Sequence, residues 1–339
     1  MKIQDIETIK RMLAKHPKIS IIPHKNPDGD AMGSCLGLYH YLQLQGYDAT
    51  VVAPNDYPEN LKWLPASEKV MIYELDPETA TRQIEKSQLI FTLDFNSLDR
   101  ADVLTPLLEH SKADFVMIDH HQQPKDYARV TFSNTKASST CAMVYGFIDT
   151  MGNTNLINKD IATCLYTGIM TDTGNFKHAT TTSNTLRIAA TLIDKGADNA
   201  LINNLVYDTN SYDRLQLLSL ALKNMVYLPE YATTYTVLTS DDLKSHNFQQ
   251  GDTEGIVNYG LSIKNTRLAV IFIEYKDKNF VKMSFRSKGN LDVNILAREQ
   301  FNGGGHSNAA GGRYDESLEK AVAHFLTILP EYTSAKPLL

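Results

Sequence analysis

Residues 116–121 read Val-Met-Ile-Asp-His-His, an apolar run that stops on an acid and two adjacent histidines. Such a run reads as a buried strand that delivers polar groups at its carboxyl end. Side chains alternate along an extended chain, so His120 and His121 cannot share one face while the strand continues. The strand is therefore expected to end at Asp119, with Gln122-Gln123-Pro124 forming a turn, because a residue before proline is pushed into extended or turn geometry. In that turn both histidines can converge on one pocket. Taken alone, the three residues fit a surface pair better than a site, and the other segments decide.

Upstream, residues 5–15 carry Ile6, Ile9, Met12 and Leu13 at helical spacing, a core stripe. Ile19-Ser20-Ile21-Ile22 is a short strand running into Pro23-His24 and the loop Lys25-Asn26-Pro27-Asp28-Gly29-Asp30, with a helix expected from about Ala31 to Gln45. Strand, polar loop, helix places functional groups at the edge of a parallel sheet. Asp28 and Asp30, two apart across a glycine, can diverge toward two metal ions, with His24 sharing one of them. The same letters also make a turn, with Asp30 as helix N-cap. Further strands are expected at 49–53 and 70–73. Residues 88–94 repeat the design of an apolar strand ending in an acid, here Asp94; Asp99-Arg100 opens the next helix, and Arg100 either orients a carboxylate or stays solvated.

A helix over about 161–171 leads to Asp172. An acid at a helix C-terminus opposes the dipole and needs a compensating charge, which a metal ion would supply. Successive helices follow from Ser183 to about Met225, broken near Gly196 and 208–211. Beyond Tyr227 the chain turns to longer strands at 231–238, 268–275 and 280–286, a helix at about 293–301, the run Asn302-Gly303-Gly304-Gly305-His306, and a last helix at 316–329. The bare glycines would let backbone N–H groups approach an anion beside His306, with Arg286 adding charge.

With 339 residues, 42% of them apolar, the chain can bury a large core in one big domain or two ordinary ones. Its net charge of -6 provides no global basic field for long nucleic acid, so a polyanionic substrate should be short or met by metal ions. Cys35, Cys141 and Cys164 sit in apolar runs without paired spacing, as buried thiols of a reducing compartment. With no apolar signal core and no run long enough to span a membrane, the expected location is the cytoplasm.

Together, His24-x-x-x-Asp28-x-Asp30, Asp94, Asp119-His120-His121, Asp172 and the glycine-histidine tail resemble the DHH/DHHA1 phosphoesterases, in family order and over nearly the whole chain. Within them the match is to the bifunctional oligoribonuclease and 3'-phosphoadenosine 5'-phosphate phosphatase branch, the nanoRNases. The resemblance implies an α/β fold with a doubly wound, mainly parallel DHH domain (1–195), a helical connector (196–226) and a smaller α/β DHHA1 domain (227–339). It implies two divalent ions, Mn²⁺ in preference to Mg²⁺: one held by His24, Asp28 and Asp94, the other by Asp30, Asp94, His120 and Asp172. Asp94 would bridge, His121 would contact the scissile phosphate, and Asp119 would orient its neighbours. Gly303, Gly304, Gly305 and His306, with Arg286, would grip the nucleotide end, although Asn302 stands where many relatives carry another glycine.

The implied activity is hydrolysis of short oligoribonucleotides, dinucleotides such as pApA included, to 5'-mononucleotides, and of 3'-phosphoadenosine 5'-phosphate to AMP and phosphate. The partners are then short RNA or a nucleotide bisphosphate, with no long duplex and no membrane; a second copy of the chain is a further candidate. Two alternatives remain open: a pyrophosphatase or exopolyphosphatase-like hydrolase, and a nucleotide-binding regulatory protein without turnover.

Overall fold

The computed structural model describes residues 3–208 and 210–333. The chain divides into two compact units, Met1–Thr209 and Asn210–Leu339.

The first unit begins with α1 (Ile3–Leu13), whose Ile6, Ile9, Met12 and Leu13 are buried as the expected stripe. The chain continues through β1 (Ile19–Ile22), α2 (Gly29–Leu44), β2 (Ala49–Ala53), β3 (Met71–Ile72), α3 (Pro77–Lys86), β4 (Leu89–Leu93) and α4 (Thr105–Glu109). Then come β5 (Asp114–Asp119), β6 (Val130–Ser133), α5 (Thr140–Thr150), α6 (Lys159–Asp172), α7 (Ser183–Asp194) and α8 (Asn199–Tyr207).

Its strands form one parallel sheet in the order β3-β2-β1-β4-β5-β6. Every residue of β1 and β4 is buried, which is why both read as apolar runs rather than alternations. The chain winds outward from β1 to β3 and then returns to continue from β4 to β6. The order therefore reverses between β1 and β4, and the loops leaving their carboxyl ends part to leave a crevice. His24 follows β1 and Asp94 follows β4, so the topology sets both at that crevice.

Several local readings change. The helix after β1 starts at Gly29, and its N-cap is Asp28 rather than Asp30: Asp28 Oδ1 accepts from the backbone N–H of Asp30 and Ala31 at 3.0 and 3.1 Å. That leaves the Asp30 side chain free to turn inward, where it is buried. Asp99-Arg100 lies in a tight 3-10 turn, Leu98–Leu104, rather than opening a regular helix. Strand β6, Val-Thr-Phe-Ser with alternate residues exposed, lacks the continuous apolar run that marks β1 and was not expected from the sequence.

Helices α2 and α6 pack closely because α2 places Gly29, Gly33 and Gly37 one turn apart. A methyl group on Gly33 would lie 2.5 Å from the carbonyl oxygen of Cys164, and one on Gly168 of α6 would lie 2.2 Å from Cys141 Sγ. The approach holds Asp30, at the start of α2, beside Asp172, at the end of α6.

The second unit comprises α9 (Tyr212–Lys223), β7 (Val226–Leu228), β8 (Thr233–Leu238), α10 (Ser240–Ser245), α11 (Ile256–Ser262), β9 (Leu268–Tyr275), β10 (Phe280–Ser287), α12 (Val293–Gln300), β11 (Gly304–His306), β12 (Ala309–Tyr314) and α13 (Leu318–Thr333). Its sheet runs β11-β12-β10-β9-β8-β7, antiparallel except for β8 beside β9. One face packs a core around Val270, Phe272, Met283, Phe285 and Phe325, and the other buries Ala269, Ile271 and Ile273 beneath α9, α10 and α11. The glycine run is not a free loop. Its residues 304–306 form an edge strand paired with β12.

Candidate metal centre

Asp94 is the hinge of the site. It continues the β4 to β5 pairing, donating its N–H to Ile118 O at 3.1 Å, but turns to φ 67°, a left-handed conformation unusual for a non-glycine residue. Its buried carboxylate therefore faces two ways: Oδ2 lies 3.5 Å from His24 Nε2, and Oδ1 lies 3.5 Å from His120 Nε2. Around it, ligand atoms of His24, Asp28 and Asp94 lie within 4.8 Å of one another, and so do those of Asp30, His120 and Asp172. The six residues named from the sequence as ligands are thus brought together, from the ends of β1, β4, β5, α2 and α6.

Each histidine is oriented through its other nitrogen. His24 Nδ1 bonds Lys25 O at 2.7 Å, His120 Nδ1 bonds Ala137 O at 3.3 Å, and His121 Nδ1 bonds Asp119 Oδ1 at 2.7 Å. Because these oxygens only accept, each Nδ1 donates, and the neutral ring keeps its lone pair on Nε2. A ligand histidine needs this tautomer. Asp119, the acid that ends β5, is fully buried, and so it acts on His121 from behind.

Asp30 is clamped at the N-terminus of α5. Thr140 N–H donates to Oδ2 at 2.6 Å and Cys141 N–H donates to Oδ1 at 2.8 Å, while Thr140 Oγ1 donates to Asp94 Oδ1 at 2.8 Å. The sequence reading missed Thr140 and Cys141. A signal was present, since Ser139 before an apolar run is an N-cap pattern, and Ser139 does accept from Ala142 N–H. The pattern announces the helix but not the acid it will meet, 110 residues away in sequence.

The electrostatics of this cluster favour a cation. Burial, with the charges of Asp94 and Asp172, pushes the Asp30 carboxyl well above the usual range. Burial also carries Asp172 up to about 7, against the pull of His120. Although burial opposes it, hydrogen bonds from His120 and His24 hold Asp94 well below the usual range. Burial likewise disfavours a charged His120, yet Asp94, Asp172 and Asp30 raise it well above the ordinary histidine value. Asp30, Asp94 and Asp172 pair with imidazoles. Asp119 Oδ2 is buried with no hydrogen-bond partner among the described residues. Mixed carboxylate and imidazole donors, closely spaced and short of positive charge, suit a divalent ion of the Mn²⁺ or Mg²⁺ kind.

In the second unit, the glycine run has structural reasons as well as room for a ligand. Gly303 N–H donates to Ala297 O at 3.0 Å and Gly305 N–H donates to Asn294 Oδ1 at 2.9 Å, so these two N–H groups have protein acceptors. A methyl group at Gly303 would meet Gly311 O at 2.0 Å, and one at Gly305, where φ is 151°, would meet Ala309 O at 2.5 Å. His306 ends β11, and Arg286 stands on β10 with Nη1 donating to Phe285 O at 2.9 Å. In register, Arg286, Ala309 and His306 lie in one row across three strands.

Residues 18–169 match the DHH family N-terminal domain, and residues 231–334 match the DHHA1 domain. The chain is 33% identical over 302 residues to a Thermus thermophilus protein named bifunctional oligoribonuclease and PAP phosphatase NrnA, covering 86% of this chain and 83% of that one. A crystal structure of an exopolyphosphatase-related protein from Bacteroides fragilis superposes with a TM-score of 0.94 at 38% identity, over 98% of each chain. Thermus thermophilus RecJ, solved in complex with Mn²⁺, shares the fold at a TM-score of 0.54 and 14% identity, over 98% of this chain and 55% of RecJ. Domain order, identity and the convergence of the motif residues agree: the chain belongs to the DHH/DHHA1 family of metal-dependent phosphoesterases.

Proposed function

We propose that this protein hydrolyses short oligoribonucleotides to 5'-mononucleotides and 3'-phosphoadenosine 5'-phosphate to AMP and phosphate, using two divalent ions. The observation that carries the proposal is the pair of ligand groups, His24/Asp28/Asp94 and Asp30/His120/Asp172, joined through the two oxygens of one carboxylate. Two ions bound there would lower the pKa of a shared water and neutralise charge gathering on the phosphoryl oxygens. Asp94 would serve both positions, and imidazole in each favours Mn²⁺.

The protein's own groups do the rest. His121, held through Nδ1 by Asp119, leaves Nε2 for the substrate, and once the ring takes up a second proton there it donates to a phosphoryl oxygen. Asp30, fixed by two N–H groups, and Asp94, fixed by Thr140, keep their remaining lone pairs aimed inward. Residues 1–195 carry the chemistry in this reading, 196–226 connect, and 227–339 hold the nucleotide. There Arg286, His306 and Gly303 to Gly305 engage a terminal nucleotide while the bond between a 3' oxygen and phosphorus is cut. Both substrates present that bond, so one geometry serves both reactions. Three buried free cysteines support a cytoplasmic location; among the described residues, no helix is long and apolar enough to cross a membrane.

The likeness to the exopolyphosphatase-related protein of Bacteroides fragilis favours a second reading, a pyrophosphatase or exopolyphosphatase-like hydrolase. A Mn²⁺-dependent product assay on labelled pApA, a five-nucleotide RNA, 3'-phosphoadenosine 5'-phosphate and pyrophosphate separates the two. AMP from the nucleotide substrates is expected, with Asp94→Ala inactive on all of them and His306→Ala impaired selectively on nucleotides. Phosphate from pyrophosphate alone would establish the second reading, and nucleotide binding without any product would make the protein a regulatory module.

A further inference from the structure

The sheet of the second unit has one face only half covered. Helices α9, α10 and α11 pack on the side of Ala269, Ile271 and Ile273, and α11 also reaches β10, while on the same face Lys282, Gly311 and Arg313 stay exposed. Strand register identifies what stands there. Moving away from the row of Arg286, Ala309 and His306, the next row is Ser284, Gly311 and Gly304, and the one after it is Lys282 with Arg313. Phe280 on β10 and Tyr275 on β9 close the series as register partners. Positive side chains thus recur at alternate rows along a floor of small residues.

Two details distinguish this strip from an ordinary solvated surface. Gly304 and Gly311 face each other in register, and neither has a left-handed backbone. A methyl group on either would meet nothing nearer than 3.7 Å, unlike the crowded Gly303, Gly305 and Gly312. Neither packing nor backbone conformation calls for glycine at 304 or 311, so their effect is to keep the floor bare. At the far end Arg313 is held rather than loose: its guanidinium lies 4.3 Å from the Phe280 ring centroid, Phe280 stacks on Tyr275 at 5.2 Å, and Asp315 takes its Nε. Its side chain nevertheless keeps 53% exposure, leaving an oriented cation with an open face. Lys282 beside it is exposed as well.

We infer that this strip is a track for the trailing nucleotides of a short single-stranded oligonucleotide, resting on the reading above that Arg286 and His306 hold a terminal nucleotide. Arg286 to Phe280 spans six residues, or about 20 Å of strand at about 3.4 Å per residue, a length for a few nucleotides and not for a long chain. Lys282 and Arg313, side by side in one row, flank a phosphate further along the track, the bare floor admits the sugars, and the flat guanidinium of Arg313 offers a stacking surface for a base. Charge complementarity selects a polyanion, and the trough of small residues selects a single strand over a duplex.

The test uses the full chain and two variants, Lys282→Gln combined with Arg313→Gln, and Gly311→Val, whose β-branched side chain suits a strand while filling the floor. Binding of a fluorescein-labelled five-nucleotide RNA is followed by anisotropy in EDTA, and KM for that RNA and for 3'-phosphoadenosine 5'-phosphate is measured with Mn²⁺. Both variants should weaken the five-nucleotide RNA about tenfold, and the double variant should also flatten its salt dependence. KM for 3'-phosphoadenosine 5'-phosphate should stay within about twofold. No binding of the RNA by the wild-type chain, unchanged binding in both variants, or equal losses on both substrates would overturn the track. RNA binding without hydrolysis of either substrate would instead overturn the proposed activity and leave the track standing.

Discussion

Thr140 Oγ1 donates a 2.8 Å hydrogen bond to Asp94 Oδ1, and the Thr140 backbone N–H donates to Asp30 Oδ2 at 2.6 Å. One residue at the start of α5 thereby touches two of the acids that face each other across the site. The backbone contact survives any substitution except proline, whereas the hydroxyl contact does not.

Thr140→Val, close in shape, should therefore keep the fold and the Asp30 clamp while releasing Asp94. Outer partners of metal ligands typically contribute about 10- to 100-fold in affinity. Calorimetric titration with Mn²⁺ should show a loss of about tenfold for Thr140→Val and recovery with Thr140→Ser. Equal affinities for valine and threonine would show that the hydroxyl does not position Asp94.

Asp119 reaches the chemistry through His121, by the 2.7 Å contact with Nδ1. Asp119→Asn should leave the imidazole in place but weaken control over which nitrogen carries the proton, as in other acid-oriented histidines. A fall in kcat of about a hundredfold or more is expected, with Mn²⁺ affinity changed less than about threefold. A collapse of metal binding in step with kcat would instead assign Asp119 to the ligands.

Gly33 tests the packing beneath the acids. Alanine is worth about 1 kcal/mol more than glycine in a helix interior. Here the added methyl would lie 2.5 Å from a backbone oxygen, Cys164 O, which cannot swing aside. Overpacking of about 1–3 kcal/mol should therefore win, lowering Tm and weakening Mn²⁺ binding as α2 and α6 separate. Gly37→Ala faces mainly the flexible tip of Leu165 and should be close to neutral. Equal effects at the two positions would show that the close approach of the helices is not the cause.

Stability without metal should fall as pH rises from about 5 to about 8, by proton linkage. Asp172, carried up to about 7, and Asp30, raised well above its usual range, bind protons in the folded chain that the unfolded chain has released. The raised His24 and His120 act in the same direction, their stabilisation being complete below the ordinary value of 6.5 and lost as pH passes their folded values. Asp94 acts oppositely, but its contribution is lost only in acid, as pH falls from 3.8 toward its lower folded value. Mn²⁺ needs the deprotonated ligands, so the Tm increase it gives should grow over the same interval. A flat Tm for the metal-free protein between pH 5 and 8, in thermal scans with EDTA, would contradict this charge arrangement.

Much of the site was legible along the chain because its ligands sit where strands and helices must stop. An apolar run that ends on an acid is a local pattern, and it marked Asp94 and Asp119 at the ends of β4 and β5. The fully buried strands of a parallel sheet read as continuous apolar runs for the same reason. Local reading failed where a neighbour distant in sequence decided the outcome. The choice of Asp28 over Asp30 as N-cap followed from what each acid meets: Asp30 is drawn inward by the N–H groups of α5. The glycine run became an edge strand because β12 lay beside it with room for no side chain at Gly303 or Gly305.

Composition, strand periodicity and the order of the acids and histidines were enough to determine an α/β chain, its family and the residues that gather at its sheet edge, since each depends on local pattern or on kinship. The tertiary structure alone decided which oxygen of each acid faces which imidazole, that Thr140 and the N-terminus of α5 lock two of those acids, and which glycines are forced by packing. Those are properties of groups brought together from far apart in the chain, where distances of a few tenths of an ångström separate a hydrogen bond from a clash.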